Sequence, residues 1–204
     1  MDQGPIWALG LMSGTSLDGV DAALLKTDGV EIVEFGPGAE RPYQAGETDL
    51  IRTIIDSWPH FRDPTDEGRI AERDLAAEDV QRFHALAVAD LLSRSDIAPE
   101  LIGFHGQTIA HDPEAGWTWQ LGDGEALARV LNRATVWDFR TDDMKAGGEG
   151  APLAPFYHWA LARHIGATEP VAFLNIGGVA NVTWVDPAAD APEADGALLA
   201  FDTG

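Results

Sequence analysis

The sequence predicts an α/β protein, because short apolar segments of strand length alternate with longer segments of helical periodicity. Three segments near the start (6–12, 20–25 and 30–35) are short and apolar and are separated by polar, glycine-containing turns. Hydrophobic residues make up 45% of the 204 residues and charged residues 23%, which is the composition of a folded chain rather than a disordered one.

Two helices are predicted after the third strand. The first has Thr48 or Asp49 as its candidate cap and Pro59 as its stop. Its apolar residues share one face at helical spacing: Leu50, Ile51, Ile54, Ile55 and Trp58. The second spans 67–93, and its predicted apolar positions are Ile70, Leu75, Val80, Phe83, Ala87 and Leu91.

The middle of the chain continues the alternation. Strands are predicted at 101–104, 117–121 and 134–139, and Asp123 is placed to cap a helix that ends near residue 132. A segment rich in glycine and proline follows at 145–152, and such a run is typical of a hinge or a crossing between domains. We therefore predict a first lobe over 1–141, and 142–204 as the crossing and the start of a second lobe.

The second lobe repeats the opening pattern. A helix is predicted over 155–164, and strands at 171–174 and 182–185 flank a polar, glycine-containing turn, as in 8–25. This repeat suggests two related lobes with a cleft between them. Because the second lobe has little more than a helix and a hairpin for its core, we expect the sequence to be the front part of a longer protein.

Charge and cysteine content exclude several classes of protein. Lys and Arg number 13 and Asp and Glu 34, which gives a net charge of −21 and argues against nucleic acid or an anionic membrane as a partner. Cysteine is absent, so disulfides, thiolate metal sites and cysteine nucleophiles are excluded. The first residues lack a basic segment, and the apolar run 6–12 is too short for a leader or a spanning helix, which predicts a cytoplasmic protein.

The turn 13–19 is the first candidate site. It combines two glycines, hydroxyl side chains and the carboxylate of Asp18, which are groups that can hold phosphates and position Mg²⁺. A tight hairpin turn explains the same residues, since Gly, Ser and Asp are common in turns. The sequence lacks the lysine of a Walker A loop, and no dinucleotide-binding fingerprint follows.

Polar residues at the ends of later strands form further candidates. Gln107 and Thr108 could bind sugar hydroxyls, and Arg140 could bind a carboxylate through two hydrogen bonds. The alternatives are a polar loop with a surface histidine at 105, and an ion pair between Arg140 and a nearby aspartate. The histidine spacing predicts no zinc site.

Asp202 is the most specific single candidate. It follows the apolar strand 198–201, where a carboxylate can act as a general base on water or on a hydroxyl. A turn stabilised by the aspartate side chain explains the same segment when it is considered in isolation.

Together these segments resemble the anhydro-N-acetylmuramic acid kinase family. The resemblance rests on ordered motifs that cover essentially the whole chain: Leu11-Met12-Ser13-Gly14-Thr15-Ser16-Leu17-Asp18-Gly19-Val20-Asp21, His105-Gly106-Gln107-Thr108-Ile109, Asp138-Phe139-Arg140 with Asp143, Gly147-Gly148-Glu149-Gly150-Ala151-Pro152-Leu153, Asn175-Ile176-Gly177-Gly178 with Asn181, and Phe201-Asp202-Thr203-Gly204.

The resemblance implies two ribonuclease-H-like lobes of the actin, Hsp70 and sugar kinase type that close on ATP, with the second lobe incomplete in this chain. It also implies that water opens the 1,6-anhydro ring of anhydro-N-acetylmuramic acid and that O6 is phosphorylated, during recycling of peptidoglycan. The products are N-acetylmuramic acid 6-phosphate and ADP.

The resemblance assigns roles residue by residue. Asp202 matches the base that activates water, Gln107, Thr108 and Arg140 match the sugar pocket, and Asp18 is a candidate Mg²⁺ ligand. Contacts to the ATP phosphates are expected from Gly14, Thr15, Ser16, Leu17, Asp18, Gly19, Val20 and Asp21.

Two alternatives and two further expectations accompany this interpretation. The alternatives are a kinase of the same fold that acts on another sugar, and an ATP-binding module of the actin or Hsp70 type. We expect the turn 13–19 and Asp202 to face one crevice, and the 204 residues alone to have little or no activity, since the family continues past this point. The pattern leaves a homodimer open.

Overall fold

A computed structural model describes residues 4–61, 67–176 and 180–203. By their contacts, residues 6–25 and 35–150 form one compact unit, here called the large unit. The described residues of 1–5, 26–34 and 151–204 form a second one, the small unit. The boundary that the sequence predicts between residues 141 and 142 stays a prediction.

A six-stranded sheet contains the first six strands of the chain. The strands are β1 (Ile6–Ser13), β2 (Gly19–Thr27), β3 (Ile32–Pro42), β4 (Leu101–Asp112), β5 (Trp117–Leu121) and β6 (Ala134–Trp137). The path β3-β2-β1-β4-β5 runs across the sheet, and β6 pairs with β4 outside this path. Both β1 and β6 are parallel to β4. Three strands joined by turns, followed by parallel strands reached through helices, confirm the predicted α/β fold.

Helices pack on this sheet and on one another. They are α1 (Asp49–Ser57), α2 (Glu67–Ser93) and α3 (Gly124–Leu131), with a 3-10 turn at Trp58–Phe61. The buried side chains of α2 include Val80, Phe83, Ala87 and Leu91, as predicted, whereas Leu75 is exposed. They join Leu9, Leu11, Ile102 and Phe104 of the strands in one core. The sheet face that carries these strand residues is therefore the covered one.

The residues at the cap positions of α1 and α3 differ in whether their side chains make a capping hydrogen bond. The Asp123 carboxylate accepts hydrogen bonds from the backbone N–H groups of Glu125 and Ala126 and so caps α3 as expected. Thr48 occupies the cap position of α1, but its side chain makes no capping hydrogen bond. The helix begins without that bond because its buried Ile51 and Ile54 fix it against the core.

Several strand boundaries differ from the predictions. β3 extends seven residues beyond the predicted end at Phe35, and β6 stops at Trp137 because Asp138 adopts a left-handed conformation with φ of 55°. The largest difference concerns β4, which continues through the predicted polar loop as far as Asp112. The candidate residues at 105–108 therefore lie within a strand.

The small unit contains a three-stranded antiparallel sheet and one helix. The sheet order is β7 (Val171–Ile176), β8 (Ala180–Val185) and β9 (Leu198–Asp202). The helix α5 (Ala154–His164) packs on β8 and β9 and buries Trp159. Between the described parts of the predicted turn 175–181, residues 177–179 lie outside the described residues. The short helix α4 (Thr141–Lys145) precedes the glycine-rich segment and belongs to the large unit.

Candidate active site

The turn between β1 and β2 has a defined backbone. The Leu17 N–H donates to the Gly14 carbonyl across 3.2 Å, and Leu17 has a positive φ of 54°. The Tyr43 N–H donates to the Asp18 carbonyl across 2.9 Å, and burial raises the pKa of the Tyr43 phenol, which the neighbouring Ser13 hydroxyl partly opposes. The turn is therefore anchored to the segment that follows β3.

The eight candidate residues at 14–21, which comprise the turn and the start of β2, divide by exposure. Thr15, Ser16, Asp18 and Asp21 are exposed, so their hydroxyl and carboxylate groups are accessible to a ligand. Leu17 and Val20 are buried in the core, so their side chains cannot contact a phosphate, and the Leu17 N–H already donates to the Gly14 carbonyl. At Gly19 a Cβ would lie 2.7 Å from the Arg41 carbonyl oxygen, so this glycine permits the close approach to β3.

Gln107 connects β4 to the turn. Its side chain is fully buried, and its Nε2 donates to the carbonyls of Gly14 at 3.2 Å and Thr108 at 3.3 Å. Its Oε1 is also buried and accepts no hydrogen bond from the described residues. The structure thus gives Gln107 a role in holding the turn, which the sequence did not predict, and leaves one acceptor oxygen unused.

A bulge in β4 places Gln107 beside Ser13. Leu11 pairs with Phe104, but Ser13 pairs with Gln107, so β4 contains one extra residue between these pairs. Gly106 lies there with φ of 71°, and a Cβ on it would be 2.5 Å from the Leu121 carbonyl oxygen. Only glycine fits this conformation and this space.

Arg140 contacts His105 rather than an aspartate. Its Nη2 donates to His105 Nε2 across 2.9 Å, and its Nη1 donates to the Gly150 carbonyl across 2.6 Å. Within the described residues no carboxylate lies within ion-pair distance of this guanidinium. The predicted alternative, an ion pair with a neighbouring aspartate, is therefore not what the structure contains.

The glycine-rich segment is fixed to α4 up to Gly150. The Asp143 carboxylate accepts a hydrogen bond of 2.7 Å from the Gly150 N–H, and the Gly148 N–H donates to the Asp143 carbonyl across 2.9 Å. A side chain at position 148 would collide with the Asp143 carboxylate. The glycines here permit a loop that folds tightly over one aspartate, which in turn places the carbonyl that binds Arg140.

The electrostatic setting of His105 favours its neutral form. Burial lowers the pKa of His105, the Arg140 charge lowers it further, and the hydrogen bond to Gly106 opposes them. Burial also lowers the pKa of Arg140, although a guanidinium remains charged in proteins. A neutral imidazole beside a cation is thus the stable arrangement.

A cavity of about 160 Å³ opens beside His105 in the large unit. Gln120 and Thr118 of β5 line it, and the Gln120 Nε2 donates to Thr118 Oγ1 across 2.9 Å. Trp137 and Asp138 form another part of the wall, and the Thr141 hydroxyl donates to the Asp138 carboxylate across 2.5 Å. The lining combines aromatic rings with amide, hydroxyl and carboxylate groups, which suits a small polar ligand.

Asp202 belongs to the small unit. It is the last residue of β9, pairs with Asn181 of β8 and is exposed. The Thr203 N–H that follows it donates to the Ala180 carbonyl across 2.7 Å, so the strand end is held by the sheet. The structure thus places the carboxylate at the exposed end of a strand, as the sequence predicted, while Gly204 lies outside the described residues.

No metal site formed by protein side chains alone is present in the described ranges, where no three His, Asp or Glu side chains cluster closely enough to hold an ion. A Mg²⁺ ion that is bound mainly by phosphates needs one or two carboxylates from the protein. The exposed Asp18 carboxylate at the turn fits that requirement. In the same described ranges no helix has both the length and the apolar composition needed to cross a membrane.

The structure defines an α/β protein in which a glycine-containing turn with exposed hydroxyl and carboxylate groups is held against β4 through Gln107. The family model described as anhydro-N-acetylmuramic acid kinase matches residues 6–204. The chain therefore belongs to the anhydro-N-acetylmuramic acid kinase family.

Two curated relatives illustrate the similarity. The chain is 54% identical over 200 residues to anhydro-N-acetylmuramic acid kinase 1 of Jannaschia sp. (strain CCS1), an alignment that covers 98% of this chain and 50% of that protein. It is 44% identical over 201 residues to the corresponding protein of Bradyrhizobium diazoefficiens, with 97% of this chain and 52% of that protein covered. The chain thus spans about half the length of the curated relatives it matches.

A solved structure, inorganic polyphosphate/ATP-glucomannokinase from Arthrobacter sp. strain KM, aligns with 90% of this chain and 59% of that chain. The TM-score is 0.35 and the sequence identity 14%, values too low to support any conclusion about this chain.

Proposed function

We propose that the protein that carries this chain is an ATP-dependent kinase that acts on 1,6-anhydro-N-acetylmuramic acid. The observation that supports this most is the match of one family model to residues 6–204, with relatives up to 54% identical over 98% of the chain. The exposed hydroxyl and carboxylate groups of the turn supply the chemistry that such a kinase needs at the phosphates.

In the proposed reaction the Asp202 carboxylate takes a proton from a water molecule, while the oxygen of that water forms a bond to C1 of the sugar. The bond between C1 and O6 breaks, O6 forms a bond to the γ-phosphorus of ATP, and ADP leaves. The products are N-acetylmuramic acid 6-phosphate and ADP, which places the enzyme in the cytoplasmic recycling of peptidoglycan sugars.

The residues of the large unit would bind the substrates in this proposal. Backbone N–H groups of 14–21, with the side chains of Thr15 and Ser16, would contact the ATP phosphates, and Asp18 would hold Mg²⁺, which neutralises phosphate charge when bound. Thr108 and Arg140 would contact the sugar directly. The Gln107 side chain is fully buried, including Oε1, so it would support the pocket by holding the turn through the Gly14 carbonyl rather than bind a sugar hydroxyl.

The experiment that tests this function measures ADP release by the whole protein with ATP and either anhydro-N-acetylmuramic acid or N-acetylmuramic acid. We expect turnover with the anhydro sugar and little with the open one. Equal turnover with both would identify a kinase of different sugar specificity. Slow hydrolysis that no sugar changes would favour an ATP-binding module instead.

A variant tests the proposed base. Asp202→Asn keeps the size of the side chain but removes the proton acceptor, so we expect turnover to fall about a hundred- to ten-thousandfold while ATP binding, measured by calorimetry, is retained. Turnover close to that of the unmodified protein would remove Asp202 from the mechanism.

A further inference from the structure

His105 lies between two partners that together fix its protonation state. Its Nε2 is 2.9 Å from Arg140 Nη2, and its Nδ1 is 3.0 Å from the Gly106 carbonyl oxygen. A guanidinium can only donate, so Nε2 must accept and carries no proton. A carbonyl oxygen can only accept, so Nδ1 must carry one. The neutral tautomer protonated at Nδ1 is the form that satisfies both hydrogen bonds.

Arg140 is held at both terminal nitrogens by this arrangement. His105 accepts from Nη2 and the Gly150 carbonyl accepts from Nη1, which leaves one further N–H on each of these atoms. Since the Gly150 N–H is itself bound by Asp143, the second acceptor is also fixed. The direction of the guanidinium therefore depends on the imidazole on one side and on the glycine-rich segment on the other.

We infer that His105 is a positioning residue that acts through Arg140, because its Nε2 lone pair orients the guanidinium for the sugar. This inference rests on the proposed function, in which Arg140 contacts the substrate. An arginine places its guanidinium through four rotatable bonds and loses side-chain entropy when it binds a ligand, and an acceptor that holds it beforehand reduces that loss. His105 itself does not touch the substrate in this scheme.

A matched pair of variants separates the two hydrogen bonds. The Oε1 of a glutamine lies where histidine has Nε2, so His105→Gln retains an acceptor for Arg140. The side chain of an asparagine reaches only as far as Nδ1, so His105→Asn leaves Arg140 Nη2 without its partner. We expect His105→Asn to raise KM for the anhydro sugar about ten- to a hundredfold, the size expected for a lost charge-assisted hydrogen bond. KM for ATP should change less than threefold.

The control measurements distinguish positioning from a structural role. His105→Gln should recover most of the loss in His105→Asn, and the two variants should have similar melting temperatures. His164→Gln, which changes a histidine of the small unit, should leave KM unchanged. Equal KM values for His105→Asn and His105→Gln, or a parallel rise in KM for ATP, would overturn the inference.

A spectroscopic measurement tests the inference independently of turnover. In the protein with ¹⁵N-labelled histidine, Nε2 of His105 should show the shift of an unprotonated nitrogen and Nδ1 that of a protonated one at pH 7.5. A proton on Nε2 would overturn the inference even if the enzyme is active. The expected tautomer combined with no sugar-dependent turnover would instead contradict the proposed function alone.

Discussion

The large and small units differ in what their strands place on the exposed face. In the large unit β1 and β2 bury Leu9, Val20 and Leu24 and expose Gly10 and Asp21 at alternating positions. In the small unit β7 and β9 carry large apolar side chains on exposed positions: Leu174, Ile176, Leu199 and Phe201. Two sheets built from similar apolar sequence thus differ in the fraction of apolar surface they remove from water.

The difference shows that an apolar strand pattern predicts a strand more reliably than it predicts burial. β7 was expected from its apolar run, and it forms, but α5 covers only one face of its sheet in the described structure. Burial contributes about 25 cal/mol for each Å² of apolar surface removed from water. A leucine in a strand of the large unit should therefore stabilise the fold more than an exposed leucine of β7.

The largest loss of stability is expected for an alanine at Gly106 of the large unit, and Gly196 of the small unit provides the comparison. Gly106→Ala combines a positive φ of 71° with a Cβ 2.5 Å from a backbone oxygen, so the free energy of unfolding should fall by about 3 kcal/mol or more. In the small unit Gly196 has φ of 79° and open space around a Cβ, so Gly196→Ala should cost only about 1 kcal/mol. Denaturant titrations measure both, and equal costs would show that the bulge yields to a side chain.

A pair of leucine substitutions tests the difference in burial directly. Leu9 is fully buried and Leu174 is 60% exposed. Leu9→Ala should cost about 3 kcal/mol, as expected for a buried leucine, and Leu174→Ala less than about 1 kcal/mol. Hydrogen exchange at the amides of β1 and β7 reports each unit separately. A similar cost at both sites would show that the exposed face of β7 contributes to stability in solution.

The buried His84 of α2 should make the free energy of unfolding depend on pH. Burial lowers the pKa of His84 to about 4, and its Nδ1 lies 2.7 Å from the Val80 carbonyl. Because this folded-state pKa is below the unfolded value, the unfolded chain binds more protons between pH 6.5 and 4. Stability is therefore complete above pH 6.5 and falls as the pH decreases, by about 2 kcal/mol at pH 5.

A comparison of variants isolates this contribution. His84→Met should remove that part of the pH dependence when unfolding is measured at pH 5 and pH 8. His158 of the small unit also has its pKa lowered by burial but lies less deeply, so His158→Met should alter the pH dependence less. An unchanged pH dependence in His84→Met would show that other groups cause the loss of stability in acid.

The sequence predicted the elements of the fold better than their boundaries. Periodicity identified α2 within 67–93 and Asp123 as a cap, since both signals are local. It ended β4 at Phe104 because the glycine and polar residues that follow are typical of loops. The strand continues because β1 and β5 pair with the later residues, and such pairing between distant segments is invisible to a local pattern.

The candidate site shows the same limit. The residue pattern identified the turn 13–19, Gln107, Thr108, Arg140 and Asp202 as candidates, and the family resemblance gave 14–21 as the phosphate contacts. The sequence did not predict that Gln107 would be buried against the turn or that His105 would accept a hydrogen bond from Arg140, because these partners are 93 and 35 residues apart. The sequence also did not distinguish the buried side chains of Leu17 and Val20 from the exposed side chains of Thr15, Ser16 and Asp18.

The two bulges in β4 make the positions of its side chains depend on the exact number of residues in the strand. Between the pairs Leu11–Phe104 and Ser13–Gln107 one strand advances two residues and the other three, and a second offset of one residue follows between Thr108 and Ala110. A strand exchanges its two faces with every residue gained or lost. Loss of a single residue at the first bulge would therefore turn the side chain of Gln107 away from Gly14, so the spacing of this segment carries information that its composition does not.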